Sequence, residues 1–228
     1  MTTEVYLVRH GETLFNRLGK VQGWCDTPLT SQGISDLKKT AEALADVHFD
    51  NMYSSDLKRA IDTVHLIKDG NRVSQIGKIK KFPEFREVFY GSFEGSEIDH
   101  IWKATSRTAG IRETSDVTEI INTIGIYKFR EVVKKADPRH LAENTEELNL
   151  RMARAIDRLK AATQREKRVL LVSHGDFIKT LGIKYWEQSD GLHDIPFPTN
   201  GSVTRGVLTD SGKFEIVDYN CSPEEFEA

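Results

Sequence analysis

Leu7-Val8-Arg9-His10-Gly11-Glu12-Thr13 is an apolar run that stops abruptly at an arginine, a histidine and a glycine. Far downstream, Val169-Leu170-Leu171-Val172 stops in the same way at Ser173-His174-Gly175. Short apolar runs bounded by glycine have the pattern of strands buried on both faces of a parallel sheet. In open sheets of that kind, ligands bind beyond the carboxyl ends of the strands. Two histidines, one with an arginine attached, are therefore expected at two strand ends, where they suit an anionic group.

Working outward, Glu4 to Val8 reads as the first strand, followed by an irregular, Gly-containing loop to about Leu29. Thr30 or Ser31 then caps a helix whose apolar stripe is Ile34, Leu37, Ala41 and Leu44. Phe49 to Ser54 is a short second strand, and a helix from Asp56 carries Ala60, Ile61, Val64 and Ile67 on one side. Lys78 to Phe82 is a weaker strand, stopped by Pro83. From about Asn144 to Gln164, Leu148, Met152, Ala155, Ile156 and Leu159 keep helical spacing. Another helix starts just after Gly175. Gly201 to Leu208 and Phe214 to Asp218 flank Thr209-Asp210-Ser211-Gly212-Lys213, a hairpin signal. This alternation predicts an α/β fold, a three-layer α/β/α sandwich with a mainly parallel central sheet and one antiparallel edge strand.

Residues from about 96 to 141 break the alternation. Ile98, Ile101 and Trp102 suggest one helix, and Val117, Ile120, Ile121 and Ile124 another. Gly125 interrupts the pattern before Phe129, Val132 and Val133 resume it. This helical insertion either covers the site or packs as ordinary structure. A single domain spanning 1–228 is expected to carry it.

Composition narrows the function classes. At 228 residues the chain suits one α/β domain with an insertion. A net charge of −3 provides no large basic field, so nucleic acid is not an expected partner. No run has the length of a membrane span, and no signal-peptide pattern opens the chain. Cys25 and Cys221 lack CxxC spacing and are expected to be free thiols in a reducing, cytoplasmic compartment. No carboxylate–histidine cluster has metal-ligand spacing, and no cofactor is expected. The expected partner is a phosphorylated small molecule, with a homodimer left open.

A phosphate monoester carries close to two negative charges at neutral pH, its second pKa being about 6. Arginine forks suit its oxygens. Arg9 emerges at the first strand end, and Arg59 lies in the strand-to-helix turn Tyr53-Ser54-Ser55-Asp56-Leu57-Lys58-Arg59-Ala60. Gly175 opens a helix, whose N-terminal N–H groups favour anions. His10 is the candidate nucleophile, because a neutral imidazole nitrogen can attack phosphorus and leave again. His48, His65, His100, His140 and His193 read as packing or solvent-facing histidines. A leaving alkoxide also needs a proton. Glu84 and Glu87, followed by Glu94, place carboxylates after the third strand, where bound phosphate would raise a carboxyl pKa.

These blocks, Leu7 to Thr13, Ser54 to Ala60, Arg86-Glu87 with Gly91 and Glu94-Gly95, and Ser173-His174-Gly175, occur in an order that resembles the histidine phosphatase superfamily, the phosphoglycerate-mutase-like proteins. The likeness spans the chain except the insertion. Asn16, Gln22-Gly23-Trp24, Pro28-Leu29-Thr30 with Gly33, and Asn200-Gly201-Ser202 add to it. The resemblance implies that His10 forms a phosphohistidine while Arg9, Arg59 and His174 hold the phosphoryl group. It implies that Asn16 orients the group, that Gln22, Gly23 and Gly175 line its site, and that Glu87 protonates the leaving oxygen and then activates water.

Two enzyme classes share these blocks. Mutases of the family carry extra basic residues after the acid block; here Lys103, Arg107 and Arg112 stand without an adjacent arginine pair. Mutases usually place Asn after the second His-Gly, whereas this chain has Asp176, expected to repel a second acidic substrate group. Both departures favour hydrolysis over transfer to a second substrate hydroxyl, and the expected function is a metal-independent phosphomonoesterase acting on a small metabolite. The alternatives are phosphoglycerate-mutase-type transfer and a phospho-ligand binding module without turnover. Trp102, Ile111, Tyr127 and Phe129 of the insertion either meet an apolar leaving group or form a small local core.

Overall fold

A computed structural model describes residues 2–187 and 195–226, so His193 lies outside the described residues. Strand β1 (Thr3–Arg9) and strand β4 (Arg168–Ser173) pair in parallel at the centre of a six-stranded sheet ordered β3-β2-β4-β1-β5-β6. The register sets Leu7 opposite Leu171, Val8 opposite Val172 and Arg9 opposite Ser173. His10 and His174 therefore leave neighbouring strands at the same level, and the His10 N–H donates to the Ser173 carbonyl at 3.0 Å.

Each residue of Val5 to Val8 and of Val169 to Val172 is at most 1 % exposed. Alternate residues of these runs point to opposite faces. Val5, Leu7, Val169 and Leu171 meet helices α7 (Thr145–Ala162) and α8 (Gly175–Tyr185) through Leu148, Met152, Phe177 and Leu181. Tyr6, Val8, Leu170 and Val172 meet helices α2 (Ser31–Ala43) and α3 (Lys58–Gly70) through Ala41, Ala60, Val64 and Ile67. Burying one such side chain contributes about 1.5–3 kcal/mol, which is why the apolar runs occupy the sheet centre.

The remaining strands are β2 (Asn51–Ser54), β3 (Lys80–Lys81), β5 (Val203–Leu208) and β6 (Phe214–Cys221). The antiparallel member is β5, set between β1 and the edge strand β6. Two 3₁₀ turns, Pro83–Phe85 and Gly91–Phe93, follow β3. The loop after β1 holds one short helix, α1 (Leu14–Arg17), capped by Thr13. Thr30 caps α2, accepting from the Gly33 N–H at 2.9 Å.

Three local expectations shift. The helix expected from Asp56 begins two residues later, at Lys58, because Leu57 before it keeps extended backbone at ψ 139°. The third strand keeps only two residues. Ile34 is 39 % exposed, while Leu37, Ala41 and Leu44 are buried.

The insertion consists of α4 (Ile98–Ala109), α5 (Val117–Ile124) and α6 (Ile126–Ala136). Gly125 separates the last two at φ 83°, a left-handed backbone that favours glycine. Ile101, Trp102, Ile120, Phe129 and Val133 form their own small core with Val21 and Phe93. Among the described residues, no helix is long and apolar enough to cross a membrane.

Candidate active site

His10 is buried at the end of β1. Its Nδ1 lies 2.8 Å from the Gly11 carbonyl and its Nε2 accepts from Arg59 Nε at 3.2 Å. A carbonyl only accepts and a guanidinium only donates. The Nδ1 atom therefore carries the proton and the Nε2 atom the lone pair. Burial first, then the charges of Arg59 and Arg9, hold its pKa well below the usual histidine range. At neutral pH this is an uncharged imidazole.

Arg59 is fully buried in the first turn of α3. Its other N–H groups donate to the carbonyls of Gly23 at 2.7 Å and Cys25 at 2.8 Å, and to the Asp26 carboxylate at 3.1 Å. The loop supplying those carbonyls is itself clamped. The Glu94 carboxylate accepts from the N–H groups of Gly23, Trp24 and Cys25 at 2.9–3.0 Å. A Cβ on Gly23 would overlap both Glu94 and the Val88 carbonyl. Glycine there is a condition for aiming Arg59.

His174 faces Ser55 across the cleft, with Nε2 2.7 Å from Ser55 Oγ. Its Nδ1 is buried without a protein partner. The two imidazoles stand 5.1 Å apart, centroid to centroid. Burial, followed by Arg59, depresses the His174 pKa as well. Arg9 donates from Nη1 to the Pro198 carbonyl at 2.5 Å and lies 4.9 Å from the centre of the Phe197 ring. Its Nε is buried and unpartnered. Burial lowers its pKa to about 10, so it stays cationic at neutral pH. A Cβ on Gly175 would collide with the Phe197 ring and crowd Arg9 Nε. Arg9, His10, Arg59 and His174 thus converge, with two orphaned buried nitrogens among them.

Glu87 reaches the N-terminus of α8. Its carboxylate accepts from the N–H groups of Val88 at 2.9 Å, Phe177 at 2.9 Å and Asp176 at 3.0 Å. Burial and the neighbouring Asp176 charge raise its pKa against those bonds. Glu84 Oε2 is buried without a hydrogen-bond partner, and the Glu84 carbonyl accepts from Arg151 at 2.9 Å. Asp176 accepts from the Tyr90 hydroxyl at 2.6 Å and from Arg130 Nη2 at 2.8 Å. Burial would raise the Asp176 pKa, but Arg130 and Tyr90 together hold it below the ordinary range. The repulsion expected from Asp176 is therefore blunted by a paired cation.

Asn16 and Gln22 are more distant supports. The Asn16 amide oxygen accepts from the Thr13 N–H at 3.1 Å and from Asn200 Nδ2 at 3.4 Å, while Asn200 also donates to the His10 carbonyl at 2.9 Å. Gln22 bridges Thr13 and Thr27 with its two amide ends. The Gly23 N–H is taken by Glu94, so that residue serves the site through its carbonyl.

Other candidates stand apart. Lys103 pairs with Asp99 and Arg107 with Glu113, while Arg112 is exposed. His48, His65, His100 and His140 are exposed. The half-buried Cys25 thiol is pushed up to about 12, chiefly by burial, and is no thiolate at neutral pH. Among the described residues, no three His, Cys, Asp or Glu side chains cluster as metal ligands.

Residues 5–222 match the histidine phosphatase superfamily, branch 1. The chain belongs to that family. Fructose-2,6-bisphosphatase TIGAR B of Danio rerio is 31 % identical over 190 residues, covering 78 % of this chain and 73 % of that relative. The 2,3-bisphosphoglycerate-dependent phosphoglycerate mutase of Methanococcus vannielii is 27 % identical over 213 residues, covering 87 % and 88 %. The crystal structure of phosphoglycerate mutase from Bacillus anthracis str. Sterne superposes with a TM-score of 0.85 at 30 % identity, covering 97 % of this chain and 94 % of that one. These relatives thus divide between phosphatase and mutase names.

Sequence reasoning passed over Ser55, Tyr90, Arg130 and Phe197 as site residues. Ser55 directly follows β2, and that strand-end position is a usable signal. For Arg130 the signal was a cation flanked by Phe129 and Val133 on the buried stripe of α6.

Proposed function

We propose that this histidine phosphatase hydrolyses small phosphate monoesters through a phosphohistidine on His10. The carrying observation is the pair of His10 contacts, Nδ1 toward the Gly11 carbonyl and Nε2 toward Arg59. They hold a neutral ring with its lone pair turned toward the cationic cradle. Arg9, Arg59 and the His174 Nδ1 hold the phosphoryl oxygens, and Asn16 orients them. Gln22, Gly23 and Gly175 keep the surrounding backbone close.

In the first half-reaction His10 Nε2 bonds to phosphorus as the ester P–O bond breaks. Glu87 gives its proton to the departing oxygen, for which its raised pKa suits it. In the second half-reaction the Glu87 carboxylate takes a proton from water. The water oxygen bonds to phosphorus, the P–N bond breaks, and the His10 lone pair returns. Dividing the displacement in this way, with fixed cations around the equatorial oxygens, lowers each barrier.

Transfer to a second substrate hydroxyl is the competing reading, and the Asp176–Arg130 pair supports it by removing the expected repulsion. Against it stand the Lys103 and Arg107 ion pairs, which tie both cations to neighbouring carboxylates. Phosphate release from a generic aryl phosphate, without interconversion of phosphoglycerates, is the expected result. Phosphoglycerate interconversion at a comparable rate would favour the mutase. Tight phosphate binding with no turnover would leave a binding module.

A further inference from the structure

Beyond the phosphate cradle, a cavity of about 380 Å³ lies between the insertion and the body of the domain. Trp102 of α4, Ile121 of α5, Phe129 of α6, Leu148 and Met152 of α7, and Ile183 of α8 line it. The volume falls in the range of about 300–1,000 Å³ usual for small-molecule sites. Trp102 and Phe129 belong both to the insertion's own core, with Ile101, Ile120 and Val133, and to the cavity wall.

The cavity touches the candidate active site at four lining residues, Tyr90, Arg130, Asp176 and Phe197. The Asp176 N–H donates to Glu87, and the Phe197 ring lies against Arg9. A group attached to the oxygen that Glu87 protonates would therefore extend into this space. Asp176, the carboxylate among the lining residues, is satisfied by Tyr90 and Arg130. Asp176 is thus not left over for a polyhydroxylated group, though Thr145, Asn149, Lys179, Thr180 and Lys184 line the cavity beside its apolar wall.

We infer that the cavity seats the leaving group, and that the preferred substrates are phosphate monoesters of bulky apolar alcohols, aryl or branched alkyl. This deepens the phosphomonoesterase reading and rests on it. Polyol hydroxyls that face Trp102, Ile121 and Phe129 lose water without gaining a partner, and only those that reach Thr145, Asn149 or Thr180 regain one.

A series of n-alkyl phosphates from ethyl to hexyl tests this, because their leaving oxygens differ little in basicity. kcat/KM is expected to rise about fourfold per added methylene until the cavity fills. A flat or falling series, or glycerol phosphate outrunning hexyl phosphate, would overturn the inference. In Ile121→Trp, which narrows the cavity, the hexyl-to-ethyl rate ratio is expected to fall at least tenfold; an unchanged ratio also overturns it. Hexylphosphonate and methylphosphonate, which lack a cleavable ester, separate this from failure of the hydrolase reading. If no ester is cleaved yet hexylphosphonate binds at least tenfold tighter, the cavity assignment stands; equal binding ends it.

Discussion

Arg59 Nε lies 3.2 Å from His10 Nε2, with both side chains buried, Arg59 Nη1 bonded to Cys25 and Asp26, and Nη2 bonded to Gly23 with one N–H to spare. One guanidinium thus positions the loop, fixes the histidine tautomer and supplies charge where phosphorus would bind. In Arg59→Lys the charge survives but the fork does not. kcat/KM is expected to fall by about 100-fold or more, in line with losing an oriented transition-state donor. A loss under fivefold in steady-state assays would remove Arg59 from the reaction.

Glu87→Gln isolates the proton donor. The rate loss is expected to be at least tenfold greater on alkyl phosphates than on nitrophenyl phosphate, whose leaving group needs little protonation. Equal losses on both would dismiss Glu87 as the acid.

Arg130 should act on chemistry it never touches. The native alkyl-ester rate is expected to fall as pH rises through the Glu87 pKa, since an acid in that role must hold its proton. Arg130→Met leaves the Asp176 charge uncompensated beside Glu87, so that alkaline limb should move to higher pH. Breaking a buried pair also costs about 3–5 kcal/mol, readable by urea unfolding. Arg130→Met with Asp176→Asn should regain part of that stability and return the limb toward its native position. A limb that stays put in Arg130→Met would uncouple the two carboxylates.

Stability itself should depend on His10 and His174. Both fold with pKa values well below the ordinary histidine value of about 6.5. Below that value the unfolded chain binds protons that the folded chain refuses, so stability falls as pH drops. Each histidine contributes up to about a tenfold loss in the folding equilibrium constant per pH unit. Urea midpoints from pH 7.5 to 5 measure this, and His174→Gln should shallow the slope. Phosphate, a dianion beside both rings, should also shallow it by raising their pKa values.

What the sequence made legible was whatever sits beside backbone punctuation. His10 and His174 follow apolar strands and precede glycine, so strand, site and helix start were readable together. The two central strands needed no context because both faces are buried. Arg130 was different: its partner Asp176 lies 46 residues away, on a helix that only the tertiary fold brings near. The charge of Asp176 was visible, but its neutralisation was not. Ile34 misled for a related reason, since helical spacing marks a stripe without fixing where it ends.

The most direct measurement is rapid quenching of the enzyme with a labelled phosphate monoester, followed by mapping of the label. The label is expected on Nε2 of His10, and both label and turnover are expected to vanish in His10→Ala. Label on another residue, or near-native turnover in His10→Ala, would contradict the covalent route.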